Sequence, residues 1–383
     1  MSTSTAQQAQ PKLQEPLTIT SSGETPLPPS HKFVEAVRES CAALTNDASS
    51  PIKVNSAGVD KFLDGLDMER FNQLGSNGWV VFPLKFDSLE QEVGLVGIVD
   101  LLNFGSGFRK PLHDFCDRGA AQTILYGAMS MHISQTDLSA KGLQELKSGD
   151  VSKLFGISLL GPEVPHPSIA GVTIAQPNGL KPLVDMITQT LNETGHILEI
   201  NGYRSLGHYL LETAKESTDS NESILASKPS AAAFVEQLVR TFPAFRDMET
   251  VDGKSVYLFK KAQLLASDLK YRFPDHFQFE DDKRLTVYSD NVLPAVLAAL
   301  GVLDLPAELT EKIQVKQEPV TLEECARLRA AAIEGSERIV KAARARGINE
   351  VNTTSLDHYL WHIGKDKELR KIPRLEYRTT VYF

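Results

Sequence analysis

Apolar and polar positions along this chain recur mainly with a helical period. HKFVEAVRESCAAL, starting at residue 31, repeats apolar residues at three- and four-residue spacing, and so does VDKFLDGLDMERFNQL. Further helices are predicted in KPLVDMITQTLNETGHIL, AAFVEQLVRTF, KKAQLLASDLKYRF, PAVLAALGVL, LEECARLRAAAIEGSERIVKAARA and TSLDHYLWHIG. Strand signals are few: NGWVVFPLKF has a Gly turn followed by β-branched and aromatic residues, and METVDGKSVYLF reads as a hairpin with Asp-Gly at its turn. GLVGIVDLLNF is a buried segment whose periodicity does not choose between helix and strand. Residues 157–180 hold four prolines and three glycines and read as a long irregular loop, and a second polar break falls at 216–230. The pattern predicts a mainly α fold with a small β component and no internal repeat.

Composition narrows the class. Residues 1–30 are rich in Ser, Thr, Gln and Pro and bury too little apolar surface to offset chain entropy, so they are expected to be a disordered tail. The remainder, 31–383, has ample length for one compact unit or two lobes. A net charge of −9 argues against a duplex or tRNA binder but not against a small anion held by a few local cations. Cys41, Cys116 and Cys325 are far apart and form no CxxC pattern, which argues against a disulfide framework or zinc knuckle and for a reducing compartment. The start of the chain has no secretory pattern, and VLPAVLAALGVLDL is too short to span a bilayer. A cytoplasmic protein with no membrane or direct nucleic-acid partner is expected.

Five stretches carry candidate chemistry. In LTVYSDNVLP, Asp290 separates two apolar runs. An acid ahead of a helix accepts bonds from its free N–H groups, and Pro294 sits where a first-turn proline is tolerated. The same carboxylate, kept ionised by the helix dipole, suits a developing cation. In SLDHYLWHIGKD, Leu356, Tyr359, Leu360 and Ile363 form an apolar stripe, and Asp357 and Trp361 share another face. An acid beside an aromatic plane suits a nucleobase. His358, His362 and Asp366 have metal-ligand spacing, although a solvated polar face explains them as well. Lys260, Lys261 and Asp268 in KKAQLLASDL read as surface charges or as site residues. Asp100 and Asn103 in VDLLNF read as a structural hydrogen-bond network. The basic segment KDKELRKIPRLEYR, residues 365–378, is either a solvated face or a source of cations for a phosphate. No G-x-x-x-x-G-K-[ST] loop and no G-x-S-x-G elbow occurs.

Taken in order, VDLLNF, LNETGHIL, TFPAFRDMETVDGKSVYLFKKAQLLASDL, LTVYSDNVLPAVLAALGVL, SLDHYLWHIGKD and the terminal pair Tyr382 and Phe383 resemble the queuosine 5′-phosphate N-glycosylases of queuosine salvage, over most of residues 60–383. The resemblance implies hydrolysis of queuosine 5′-phosphate to queuine and ribose 5-phosphate. It also implies a helical fold similar to helix–hairpin–helix DNA glycosylases, without a metal; no cofactor is expected, and a monomer is expected. It makes Asp290 the catalytic carboxylate, Tyr288 a wall of the base pocket and Asp357 a second pocket acid. His358 stands where an aromatic is common, His362 where some relatives carry an acid, and Asp64 near an N-terminal pocket residue. Lys260, Lys261, Arg246 and Arg378 are candidate cations for the 5′-phosphate. The loops at 157–180 and 216–230 are longer than in many relatives.

Three rival readings stand beside this one. They are a nucleotide carrier that keeps Tyr288, Asp357 and Trp361 without catalysis, a metal-dependent hydrolase built on His358, His362 and Asp366, and a DNA glycosylase suggested by fold alone.

Overall fold

A computed structural model describes residues 25–76, 82–216 and 229–383. The chain is mainly helical, with three two-stranded antiparallel sheets among the described residues. Each helical stretch predicted from its period is helical, and local side chains fix several starts. Thr321 and Glu324 form a capping box ahead of Leu322–Ala345, and Asn352 and Ser355 do the same ahead of Thr353–Ile363. VDKFLDGLDMERFNQL is two helices, Ser56–Asp64 and Met68–Gly75, the second restarted by the Asp67 side chain on the Arg70 N–H. The Asp-Gly hairpin pairs Met248–Val251 with Lys254–Tyr257, and Asp252 and Gly253 take φ of 52° and 71° as a primed turn requires.

The ambiguous GLVGIVDLLNF belongs to a helix, Leu89–Leu101, that packs between Leu206–Glu216 and Lys260–Arg272. A helix covered by several neighbours needs apolar residues round most of its surface, so no single stripe marks it in the sequence. The segment read as an irregular loop at 157–180 instead holds a hairpin, Leu160–Pro165 against Thr173–Pro177. Its two strands pair only with each other, so each leaves an edge on which proline's missing N–H is tolerated. Of NGWVVFPLKF, residues 77–81 lie outside the described residues, and 82–86 form no strand. Most of the 216–230 break also lies outside them. Four further helices lie between residues 109 and 154: Arg109–Cys116, Ala120–Ile133, Ala140–Glu145 and Ser148–Leu154.

Buried apolar residues from Phe33 to Phe383 form one contiguous core. Residues 1–24 of the expected tail lie outside the described residues, but 25–30 are fastened to the body. Thr25 Oγ1 is 2.7 Å from Thr250 Oγ1, Pro26 O accepts from the Tyr257 hydroxyl at 2.8 Å, and Ser30 Oγ accepts from Arg240 at 3.0 Å. All three cysteines are free. Among the described residues no helix is long and apolar enough to cross a membrane.

Two helix packings hold the late helices in place. Phe33–Asn46 lies along Leu322–Ala345, and Thr353–Ile363 is held against Met68–Gly75 and Val292–Ala299. The predicted stripe Leu356, Tyr359, Leu360 and Ile363 is buried, with the Tyr359 ring against Phe62 and Phe71. Gly75 permits the close approach: a Cβ there would lie 2.9 Å from Ser355 O.

Candidate active site

The run from Leu285 to Asn291 is buried except at Asp290, yet it pairs with no strand. Side chains from three helices, Lys260–Arg272, Leu322–Ala345 and Thr353–Ile363, serve its backbone instead. Thr353 Oγ1 donates to Leu285 O at 2.7 Å, and the Thr286 N–H donates to Gln263 Oε1 at 2.8 Å. The Tyr288 N–H donates to Asp357 Oδ1 at 2.7 Å. Arg329 Nε donates to Ser289 O at 2.8 Å, while its other nitrogens grip both oxygens of Asp247 at 2.8 and 2.6 Å. Arg329 and Asp247 are almost fully buried, and the guanidinium also lies over the Phe383 ring, 4.3 Å from its centroid. A buried fork-to-fork pair of this kind has little freedom. It fixes the turn that presents Asp290.

Asp290 Oδ1 accepts from the N–H groups of Val292 at 2.6 Å and Leu293 at 3.4 Å, at the start of Val292–Ala299. The cap reading is therefore present in the structure. The same side chain lines a cavity of about 230 Å³, so capping does not exclude a second role. Tyr288, Asp357, His358, Trp361, His362 and Lys260 line that cavity too. Asp357 and His358 are buried, so the polar side of this helix is a cavity wall and not a solvated face.

The electrostatics divide the cavity. Burial, reinforced by the charges of Asp290 and Asp268, pushes the Asp357 carboxyl up to about 8, against the pull of the Tyr288 N–H and Lys260. Burial pushes Lys260 down to about 8, although Asp290 opposes it; Lys260 Nζ donates to Asn103 O at 2.8 Å and Asn103 Oδ1 at 2.7 Å. Burial raises the Tyr288 phenol well above its usual range. Behind the wall, Asp100 is fully buried and its carboxyl is raised by burial and by Asp268. Arg109, Lys365, Arg370 and Arg374 also line the cavity, with the Lys365 ammonium over the Trp361 ring. The charge of Asp290 acts on both sets, raising Lys260, Lys365 and Arg374.

Several expected site residues lie elsewhere. Asp64 ends its helix on the surface and pairs with Arg346 at 2.7 Å. Lys261, one position round the helix from Lys260, points away from the cavity; its Nζ donates to Leu101 O at 2.6 Å beside the Phe104 and Phe245 rings. Asp268 is buried on the same helix as Lys260, but eight residues, or about 12 Å of helical rise, carry it past the cavity wall. Arg246 caps carbonyls of Val239 and Arg240, and Arg378 pairs with Glu376. The candidate metal ligands do not converge. His362 Nδ1 bonds to His358 O at 2.8 Å, His358 Nδ1 to Gly75 O at 3.3 Å, and Asp366 pairs with Arg70. Each imidazole donates from the nitrogen facing its carbonyl. Among the described residues no three His, Cys, Asp or Glu side chains form a metal-binding group.

Sequence reasoning missed Arg109, Asp247 and Arg329. Arg329 had one available signal, a charge among the alanines of LEECARLRAAAI. The basic segment at 365–378 is visible in the sequence, but its pattern does not separate Lys365, Arg370 and Arg374 from their neighbours.

Fold and site define a mainly helical protein whose cavity joins two carboxylates, an aromatic plane and a group of bases. The sequence model of the queuosine salvage protein family matches residues 181–383. Three similar proteins are each named queuosine 5′-phosphate N-glycosylase/hydrolase. That of Sphaerobacter thermophilus is 32% identical over 55% of this chain and 61% of its own length. That of Dictyostelium discoideum is 30% identical over 47% and 56%, and that of Bos taurus 28% identical over 52% and 58%. The chain thus spans less than two thirds of the length of the curated relatives it matches. It belongs to the queuosine salvage protein family.

Proposed function

We propose that this chain hydrolyses the N-glycosidic bond of queuosine 5′-phosphate, releasing queuine and ribose 5-phosphate for salvage into tRNA. The observation that carries the reading is one cavity in which Asp290, fixed by two backbone N–H groups, faces Asp357 and Trp361. Breaking the bond sends its electron pair to the base, whose nitrogen takes up a proton. Positive charge builds on the ribose, and water then adds to the anomeric carbon and gives up a proton. A carboxylate held in place stabilises that charge without reorganising. Queuine is a 7-deazapurine and has no N7 to protonate, so more of the work falls on Asp290 and on hydrogen bonds to the remaining edges of the base. Trp361 and Tyr288 offer surfaces for the base, and Asp357 a partner for its N–H groups or cationic side-chain amine.

The reading extends to the architecture. Residues 31–383 act as one glycosylase unit after an N-terminal tail, and the helices are arranged as in helix–hairpin–helix DNA glycosylases. The protein works as a cytoplasmic monomer on the free nucleotide, which its net charge of −9 favours over tRNA.

Queuine release from queuosine 5′-phosphate, followed by chromatography with EDTA present, tests the reaction. Release unaffected by EDTA supports it and removes the metal-dependent alternative. Tight binding of the nucleotide with no product would replace it with the carrier. Activity that requires DNA would replace it with a DNA glycosylase.

A further inference from the structure

Six non-glycine residues among those described take a positive φ, and Phe259 stands apart from the rest. The other five are exposed, whereas Phe259 is fully buried at φ 46° and ψ 37°. A bulky side chain in that conformation is strained and persists only where its surroundings hold it. The strain lies at the entry to Lys260–Arg272, one residue before Lys260. Asp247 gathers the turn from one side. Its carbonyl oxygen accepts from the N–H groups of Leu258 at 2.9 Å and Phe259 at 3.1 Å, and its Oδ2 accepts from the Lys260 N–H at 3.1 Å. The N-terminal segment closes on the turn as well. The Phe33 ring stacks on the Phe259 ring, with centroids 5.6 Å apart and planes 27° from parallel. The Tyr257 ring lies 5.7 Å from that of Phe259, and the Tyr257 N–H donates to Ser40 Oγ at 3.1 Å. Phe33 is itself held: the Arg240 guanidinium lies 4.9 Å from its centroid and donates to Ser30 Oγ and to Glu236 Oε1.

The entry to this helix decides which lysine faces the cavity. Consecutive helical residues point about 100° apart, so a rotation of the first turn carries Lys260 off Asn103 and away from the cavity. We propose that Phe33 is a positioning residue for the active site, holding Phe259 in the strained conformation that aims Lys260 at the cavity Asp290 lines. Lys260 gives two of its three ammonium hydrogens to Asn103, which leaves one for Asp290 or a ligand. The effect on the reaction rests on the proposed glycosylase function, but the aiming of Lys260 does not. Phe33 lies outside residues 181–383 and does not line the cavity, so the N-terminal part of the chain shapes the site without touching substrate.

The test uses the full chain and Phe33→Leu, which keeps apolar bulk but not the flat ring. The control is Leu44→Ala, a core change about three turns further along the same helix. Well below both melting temperatures, Phe33→Leu should lower kcat for queuine release about tenfold or more with KM within about threefold of wild type. Leu44→Ala should lower Tm and keep the wild-type kcat. In a Lys260→Met background, adding Phe33→Leu should change the residual rate by less than about twofold, because its effect passes through Lys260. A wild-type kcat in Phe33→Leu, or the same loss with Lys260 replaced, would make Phe33 an ordinary core residue and overturn the proposal. Reductive methylation read by mass spectrometry follows Lys260 without any reaction, against the exposed Lys110. Lys260 should react faster in Phe33→Leu than in wild type or Leu44→Ala, and equal rates in all three would also overturn the proposal. If wild type releases no queuine, the glycosylase reading fails, while the methylation rates still decide whether Phe33 aims Lys260.

Discussion

Asp290 is a cap in the structure and a catalytic carboxylate in the proposal, and two substitutions separate the roles. Asp290→Asn keeps an oxygen where Val292 and Leu293 donate, but removes the charge felt by Lys260, Lys365 and Arg374. Asp290→Ala removes both. Losing the cap costs about 1 kcal/mol, which for a chain of this size is about 2 °C or less in Tm. Losing a preorganised group that stabilises the transition state costs on the order of 10²–10³ in kcat, or about 3–4 kcal/mol. The two variants should therefore differ slightly in thermal melts and share a large loss of queuine release under saturating substrate. A single-turnover assay removes product release from the comparison. If Asp290→Asn stays within about threefold of wild type, Asp290 is only a cap and the charge on the ribose is met elsewhere. If activity in both variants falls only in step with Tm, the loss is structural and the reasoning fails in the same way.

Other consequences come from the geometry. Burial pushes the Asp357 carboxyl up to about 8 in the folded protein against an ordinary value of 3.8, so wild type loses stability as pH rises from about 4 through 8; Asp357→Asn does not titrate and should gain stability relative to wild type across that window, read as a Tm difference that grows with pH, and a constant Tm difference would refute it. If Asp357 meets a cationic amine or N–H donors on the base, queuine binding at pH 7 should release a proton, seen as a binding enthalpy that changes with buffer ionisation heat; an enthalpy independent of buffer would count against that contact. Asp247→Asn leaves Arg329 buried without its full counter-charge and should cost about 3–5 kcal/mol in urea unfolding, whereas a cost below about 1 kcal/mol would show that the pair does not brace the Asp290 turn. Trp361→Ala should weaken substrate binding by about 1–3 kcal/mol, with Trp361→Phe retaining part of it, and an unchanged KM would remove the ring from the base pocket.

The sequence alone determined the local events. Helical period, capping boxes and the Asp-Gly turn are written in neighbouring residues, because the hydrogen bonds that start a helix or close a hairpin span only three or four positions. The acid that caps Val292–Ala299 was legible for that reason, as were the aromatic and acid on one face of Thr353–Ile363. Helices without a single apolar stripe escaped, as Leu89–Leu101 shows, since a segment covered from several sides has no period to read. Family resemblance supplied the chemistry, and most of the expected wall, Tyr288, Asp290, Asp357, Trp361 and Lys260, does meet in one cavity. Which charges join them was decided by packing. Lys260 and Lys261 are adjacent, yet one faces the cavity and the other the core. Asp64 was expected nearby and lies on the surface, while Arg109, from a helix outside the predicted ones, lines the cavity with Arg374. Convergence of residues hundreds of positions apart depends on how whole helices seat against one another, and that information is spread over the core and not held in any one motif.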